Sequence, residues 1–180
     1  MRRITGILLL VCLVLVSGCS GDTKDGGKTQ DDNELVRFDG PGFSLLLPGE
    51  PEESSETVPI GDAQIELTSY LVELGELEGV AVTASGQYPK GISLSLDGAV
   101  AGAASNIEGE VEESKTITYQ GRDARDARIT SERNGDAITV FARMILDGRR
   151  LVAIQQHVQG EDVQEPPDNY DEILESLEFS

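Results

Sequence analysis

Residues 122–158, RDARDARITSERNGDAITVFARMILDGRRLVAIQQHV, decide the fold. Asn134-Gly135 interrupts the run with two residues that both accept positive φ, the signal of a tight hairpin. Asp147-Gly148 repeats that signal further on. Between them, Ala137 to Leu146 alternates, with Ile138, Val140, Ala142, Met144 and Leu146 on one face. The stretch therefore predicts three antiparallel strands, over Arg122–Ser131, Ala137–Leu146 and Arg149–Val158.

The same reading extends outward. Phe43–Leu47 is a short apolar strand, stopped by Pro48-Gly49, and Pro48–Ser55 (PGEPEESS) reads as a polar loop. Gln64–Glu73 and Val80–Tyr88 alternate as strands, and Val111–Tyr119 completes the set. Between Tyr88 and Val111 the period changes. Leu96, Val100, Ala103 and Ile107 recur at helical spacing, with Ser95 placed to cap the start and Gly109 to end it. A last helix is predicted over Asp168–Glu178, with Tyr170, Ile173, Leu174 and Leu177 as its buried stripe. The expected class is α+β: a mostly antiparallel sheet covered by helices.

Composition narrows the function. In 180 residues, 38% hydrophobic and 26% charged, a packed core is affordable. The formal net charge of −19 argues against a nucleic-acid binder, which needs cationic surface to release counterions. One His and two Cys nearly exclude a Cys/His zinc site. The acidic clusters Asp31-Asp32-Asn33-Glu34, Glu110-Glu112-Glu113 and Asp168-Asp171-Glu172 lack the spacing of a calcium loop, so no metal and no cofactor is expected.

The N-terminus addresses the compartment. Arg2 and Arg3 precede an unbroken apolar run, Ile7–Val16. That run is too short to span a bilayer as a helix but suits a secretory h-region. Small residues Ser17 and Gly18 then precede Cys19. Val16-Ser17-Gly18-Cys19 resembles the lipobox of bacterial lipoproteins. The resemblance implies a signal peptide over residues 1–18, cleavage before Cys19, and a diacylglycerol thioether on Cys19. The implied location is the extracytoplasmic side of the cell membrane, with the membrane itself as first partner. Two or more acyl chains hold a protein stably where one would be marginal. Cys12 leaves with the signal, so the mature chain has neither a free thiol nor a disulfide. Residues 19–34 then form a polar tether whose flexible reach is about 20 Å, and a single domain occupies 35–180.

The order of elements resembles the PsbP-like family. The residues that carry the resemblance are Phe43-Ser44-Leu45-Leu46-Leu47-Pro48-Gly49-Glu50-Pro51, Gly121-Arg122-Asp123-Ala124, the two hairpins, and Ile173-Leu174-Glu175-Ser176-Leu177-Glu178-Phe179. It covers residues 37–180. It implies an α/β/α sandwich whose members serve as assembly or binding accessories. No photosystem role is carried over.

Candidate chemistry is sparse. His157 shares a strand face with Gln155 and Gln159. As a general base it would need a nucleophile, and no G-x-S-x-G motif occurs. Seven arginines, Arg122, Arg125, Arg128, Arg133, Arg143, Arg149 and Arg150, lie within 122–150, whereas 151–180 holds acids and no Lys or Arg. Arg122, Arg125 and Arg128 are the candidate docking residues for an anion or partner. The other reading of the same arginines is cross-strand pairing with Asp, plus contacts to the acidic C-terminal helix.

The sequence thus points to a lipid-anchored, extracytoplasmic, non-enzymatic binding or accessory protein that holds a protein or small ligand near the membrane. Two rivals stand beside it: a carrier of a lipophilic ligand between the sheet and helix 96–108, and an envelope hydrolase.

Overall fold

A computed structural model describes residues 34–160 and 163–180. The signal, Cys19 and the tether up to residue 33 lie outside the described residues. In chain order the elements are β1 (Val36–Gly40), β2 (Phe43–Leu47), β3 (Glu52–Ile60), β4 (Ala63–Glu73), β5 (Gly79–Ser85), α1 (Leu96–Asn106), β6 (Glu110–Tyr119), β7 (Arg122–Arg133), β8 (Asp136–Asp147), β9 (Arg150–Gln159), α2 (Asp168–Glu175) and β10 (Glu178–Phe179).

Seven strands form one sheet in the order β3-β4-β5-β9-β8-β7-β6, antiparallel throughout. The meander expected over 122–158 is its centre and one flank. Asn134, at φ 57°, and Gly135, at φ 93°, make the β7–β8 turn, and Arg133 faces Asp136 across it. From β5 the chain crosses through α1 to the far edge, then returns strand by strand until β9 pairs with β5. Ser95 accepts from the Gly98 amide and so caps α1. Gly109 lets the chain pass close beneath β7: a Cβ there would sit 2.5 Å from the Thr130 carbonyl oxygen.

The main core lies on one face of the large sheet. There, Tyr70, Val72, Val80, Val82, Ala84, Ala124, Ile145, Val152 and Ile154 meet Phe43, Leu45 and Leu47 of β2 and Ile173, Leu174 and Leu177 of the C-terminal segment. A small sheet, β1-β2-β10, completes that layer. On the opposite face α1 sits against β6, β7 and β8. Its Val100 and Ala104 are buried on Ala127, Ala142, Met144, Ile129 and Val140.

The structure corrects three expectations and adds one strand. Helices cover only part of the sheet, so the molecule is sheet-dominated: α2 shares its face with a second sheet, and α1 reaches only half of the other. Residues Glu52–Ser55 are strand, not loop. The reason is that β3 is an edge strand exposed on both faces as far as Thr57, so it shows no apolar alternation; backbone pairing to β4 and a Ser55–Thr68 hydroxyl contact of 3.1 Å hold it. Val36–Gly40 is a strand for which no expectation was formed. The last helix stops at Glu175 instead of Glu178. The Ser176 hydroxyl donates to the Ile173 carbonyl and accepts from the Leu46 amide, and Glu178-Phe179 joins β2.

Candidate functional site

Strand alternation sends the three candidate arginines to two faces. Arg122 and Arg128 lie on the α2 side of β7, and Arg125 on the α1 side. Arg122 donates to Asp147 at 2.9 Å and stacks over the Phe179 ring at 4.1 Å. Arg150 holds the same carboxylate at 2.5 Å. Burial alone would raise the Asp147 pKa, but hydrogen bonds and charge from Arg150 and Arg122 hold it below the usual carboxylate value. Arg125 reaches Asp97 at the start of α1 at 2.6 Å and also donates to Thr116 at 2.9 Å and Ser114 at 3.2 Å. These two arginines tie elements together.

Arg128 is different. Among the described residues the ion pairs use Arg37, Arg122, Arg125, Arg143 and Arg150, and neither Arg128 nor Lys115 appears in any of them. The register explains their neighbourhood. One row across the sheet runs Glu113, Arg128, Phe141, Gln156; the next runs Lys115, Asp126, Arg143, Ile154. Asp126 takes both Nε and Nη2 of Arg143, at 2.6 and 2.8 Å. Burial works against the Arg143 charge, but the hydrogen bonds and charge of Asp126 outweigh it and raise its pKa. Arg143 also lies 5.2 Å from the centre of the Tyr119 ring.

These rows run under the segment that leads into α2 and leave a cleft of about 250 Å³. Phe141 and Tyr170 form its floor, their rings 6.4 Å apart, with Pro166 beside them. Burial, then the Asp126 charge, push the Tyr170 phenol far above its ordinary pKa, so it stays neutral. Around the floor stand Lys115, Arg128 and Arg143 against Glu113, Asp126 and Asp171. Of the expected candidates, Arg128 alone lines this cleft. Lys115 and Arg143 were legible in principle: the Asn134-Gly135 turn and the turn before Arg122 fix both registers. Tyr170 and Asp171 were not, because only the tertiary fold brings α2 over those rows.

His157 lies on β9 opposite Val140, on the α1 side of the sheet, in a depression of about 360 Å³ with Glu108, Ser131, Glu132 and Arg133. The Ser131 hydroxyl donates to the Ile107 carbonyl, so it is not held on the imidazole as a nucleophile would be. Burial, then Arg133, lower the His157 pKa from 6.5. The unfolded chain therefore binds this proton at higher pH than the folded one, and stability falls as pH drops below about 6.5. Urea unfolding at pH 7.5 and 5.5 is expected to show that loss in the parent chain and a smaller one in His157→Gln. Equal losses in the two would remove His157 as its source.

The interface between α1 and the sheet, where a lipophilic ligand would need room, is filled by Val100, Ala104, Met144, Ile129 and Val140.

No family model matches the chain, and no curated protein matches it. Among solved structures, the cyanobacterial PsbP protein of Synechocystis sp. PCC 6803 aligns at a TM-score of 0.54 and 10% identity, covering 87% of this chain and 98% of that one. A Pseudomonas aeruginosa protein of unknown function aligns at a TM-score of 0.36 and 12% identity, covering 70% of this chain and 83% of its own. The first of these likenesses is one of fold alone: the domain has a PsbP-like fold.

Proposed function

We propose that this is a lipid-anchored, extracytoplasmic protein with a non-enzymatic binding or accessory role at the membrane surface, and that the cleft beneath α2 is its working surface. The observation that carries the reading is Arg128 and Lys115. In a chain of net charge −19, these cations hold no acid among the described residues and stand over a floor of Phe141 and Tyr170. The lipobox-like Val16-Ser17-Gly18-Cys19 supports an anchor through Cys19, and the polar residues that follow support a tether. Arg122 and Arg125, each bound to an acid, contribute by holding the cleft's strands and α1 in place.

The test is in-cell crosslinking of the full chain with a photoreactive residue at position 164, which lines the cleft and leaves both cations in place. A discrete protein adduct is expected, and Arg128→Glu should remove most of it. The Cys19→Ala variant should release the protein from the membrane fraction. An adduct pattern unchanged by Arg128→Glu would overturn the surface assignment, and unchanged fractionation of Cys19→Ala would overturn the anchor.

A further inference from the structure

We infer that the cleft beneath α2 recognises a single carboxylate carried on an apolar body of side-chain size. This inference rests on the binding reading above. Size comes first. About 250 Å³ lies below the range of roughly 300–1,000 Å³ usual for pockets that enclose a whole small molecule. A group of a few apolar atoms fits. The floor suits a small group. Phe141 and Tyr170 are 7% and 6% exposed, so each offers only a small patch of ring, already fixed and free of ordering cost.

Charge decides the rest. Arg143 is committed through Nε and Nη2 to Asp126, and that pair is neutral as a unit. What remains is Arg128 and Lys115 facing Glu113 and Asp171. Glu113 stands opposite Arg128 in the strand register, yet the two make no ion pair. A guanidinium offers a planar fork that fits one carboxylate through two parallel hydrogen bonds. Lys115, two positions along β6 on the same face, adds a point charge. A second negative charge on the ligand would meet Glu113 and Asp171. The balance therefore favours a monoanion over a dianion such as phosphate. A cation would meet Arg128 and Lys115. The carboxylate could belong to the chain end of a protein partner or to a free small acid, and the experiment separates these sources.

The isotope-labelled full chain, in detergent, is titrated with phenylacetate while backbone amide shifts are followed. Inorganic phosphate and benzylamine serve as charge controls. Saturable shifts are expected at residues 126–128, 141–143 and 164–171 with phenylacetate and with neither control. Arg128→Met keeps the aliphatic stem and should weaken binding about tenfold or more; undisturbed amides elsewhere show that it folds. A short peptide ending in phenylalanine, compared with its C-terminal amide, distinguishes the sources. Tighter binding of the free-acid peptide than of phenylacetate points to a chain end, and no gain points to a small acid. Absent or unsaturable phenylacetate shifts, or equal shifts with phosphate, would overturn the inference. If the position-164 crosslink persisted in that case, only the ligand class would fall; if it were absent too, the binding reading would fall with it.

Discussion

Leu45→Ala should cost the domain about 2–5 kcal/mol, a large share of the roughly 5–15 kcal/mol that holds a domain folded. Leu45 is 1% exposed at the middle of β2, inside the core that joins the small sheet, the large sheet and α2. Truncation removes apolar contact and leaves a cavity that the surrounding β-structure cannot easily close. The effect should be selective in place as well as large. β2 pairs with both β1 and β10 and packs against α2, so loosening it frees the whole layer over that face. Urea unfolding should show a lower midpoint with an unchanged slope. Hydrogen exchange should quicken first at residues 170–177. Leu71→Ala is the matched control: the same side chain on β4, but 37% exposed, with an expected change of about 0.5 kcal/mol or less. Similar losses in both variants would mean that the β2 layer is not a structural keystone.

The contrast between those leucines also marks what the sequence could disclose. Where a strand is half-buried, its alternation is visible, and β4, β5 and β8 were legible for that reason. Val80, Val82 and Ala84 do share the core face, and Ile138, Val140, Ala142 and Met144 do share the other. The Asn134-Gly135 turn fixed not only a hairpin but its register. β3 has no such signal, because a strand exposed on both faces selects no pattern; its Glu, Ser and Thr residues look like loop. The end of α2 was hidden for another reason. Residues 176–179 have nothing against helix in their local sequence, and the stop comes from the Ser176 hydroxyl and the Leu46 amide, 130 residues apart. The cleft divides in the same way. Its charged rows follow from two turns, whereas its aromatic floor needs α2 folded back onto β8. Arg125 could be placed on its face from alternation, but its partner Asp97 belongs to a helix whose docking no local pattern reveals.

Arg143→Ala should cost about 1–2 kcal/mol, the range for hydrogen bonds to charged groups discounted for partial exposure. The side chain of Arg143 is 18% exposed and that of Asp126 38%, so the pair is neither a surface ornament nor a fully buried charge. Removing Arg143 strands the Asp126 carboxylate beside the Tyr170 ring and takes a cation from the Tyr119 face. The double variant Arg143→Ala, Asp126→Ala should recover part of the loss, because no unpaired charge then remains, giving a coupling of about 1 kcal/mol or more in a double-mutant cycle. Arg37→Ala is the comparison. Arg37 pairs with Asp39 and Glu178, side chains 56%, 73% and 70% exposed, and donates to the buried Ser44 hydroxyl at 2.7 Å, so its removal should lower the unfolding midpoint only slightly, less than that of Arg143. The cleft adds a second readout. Without the Arg143–Asp126 pair, Asp126 becomes free to take Lys115, its neighbour across the strand register. Crosslinking from position 164 should then weaken in Arg143→Ala and return when Asp126 is also removed. An Arg143→Ala protein with parent stability and parent crosslinking would show that the pair neither braces β7 against β8 nor keeps Lys115 available. Additive losses in the cycle would show that Arg143 and Asp126 act independently despite their bidentate contact.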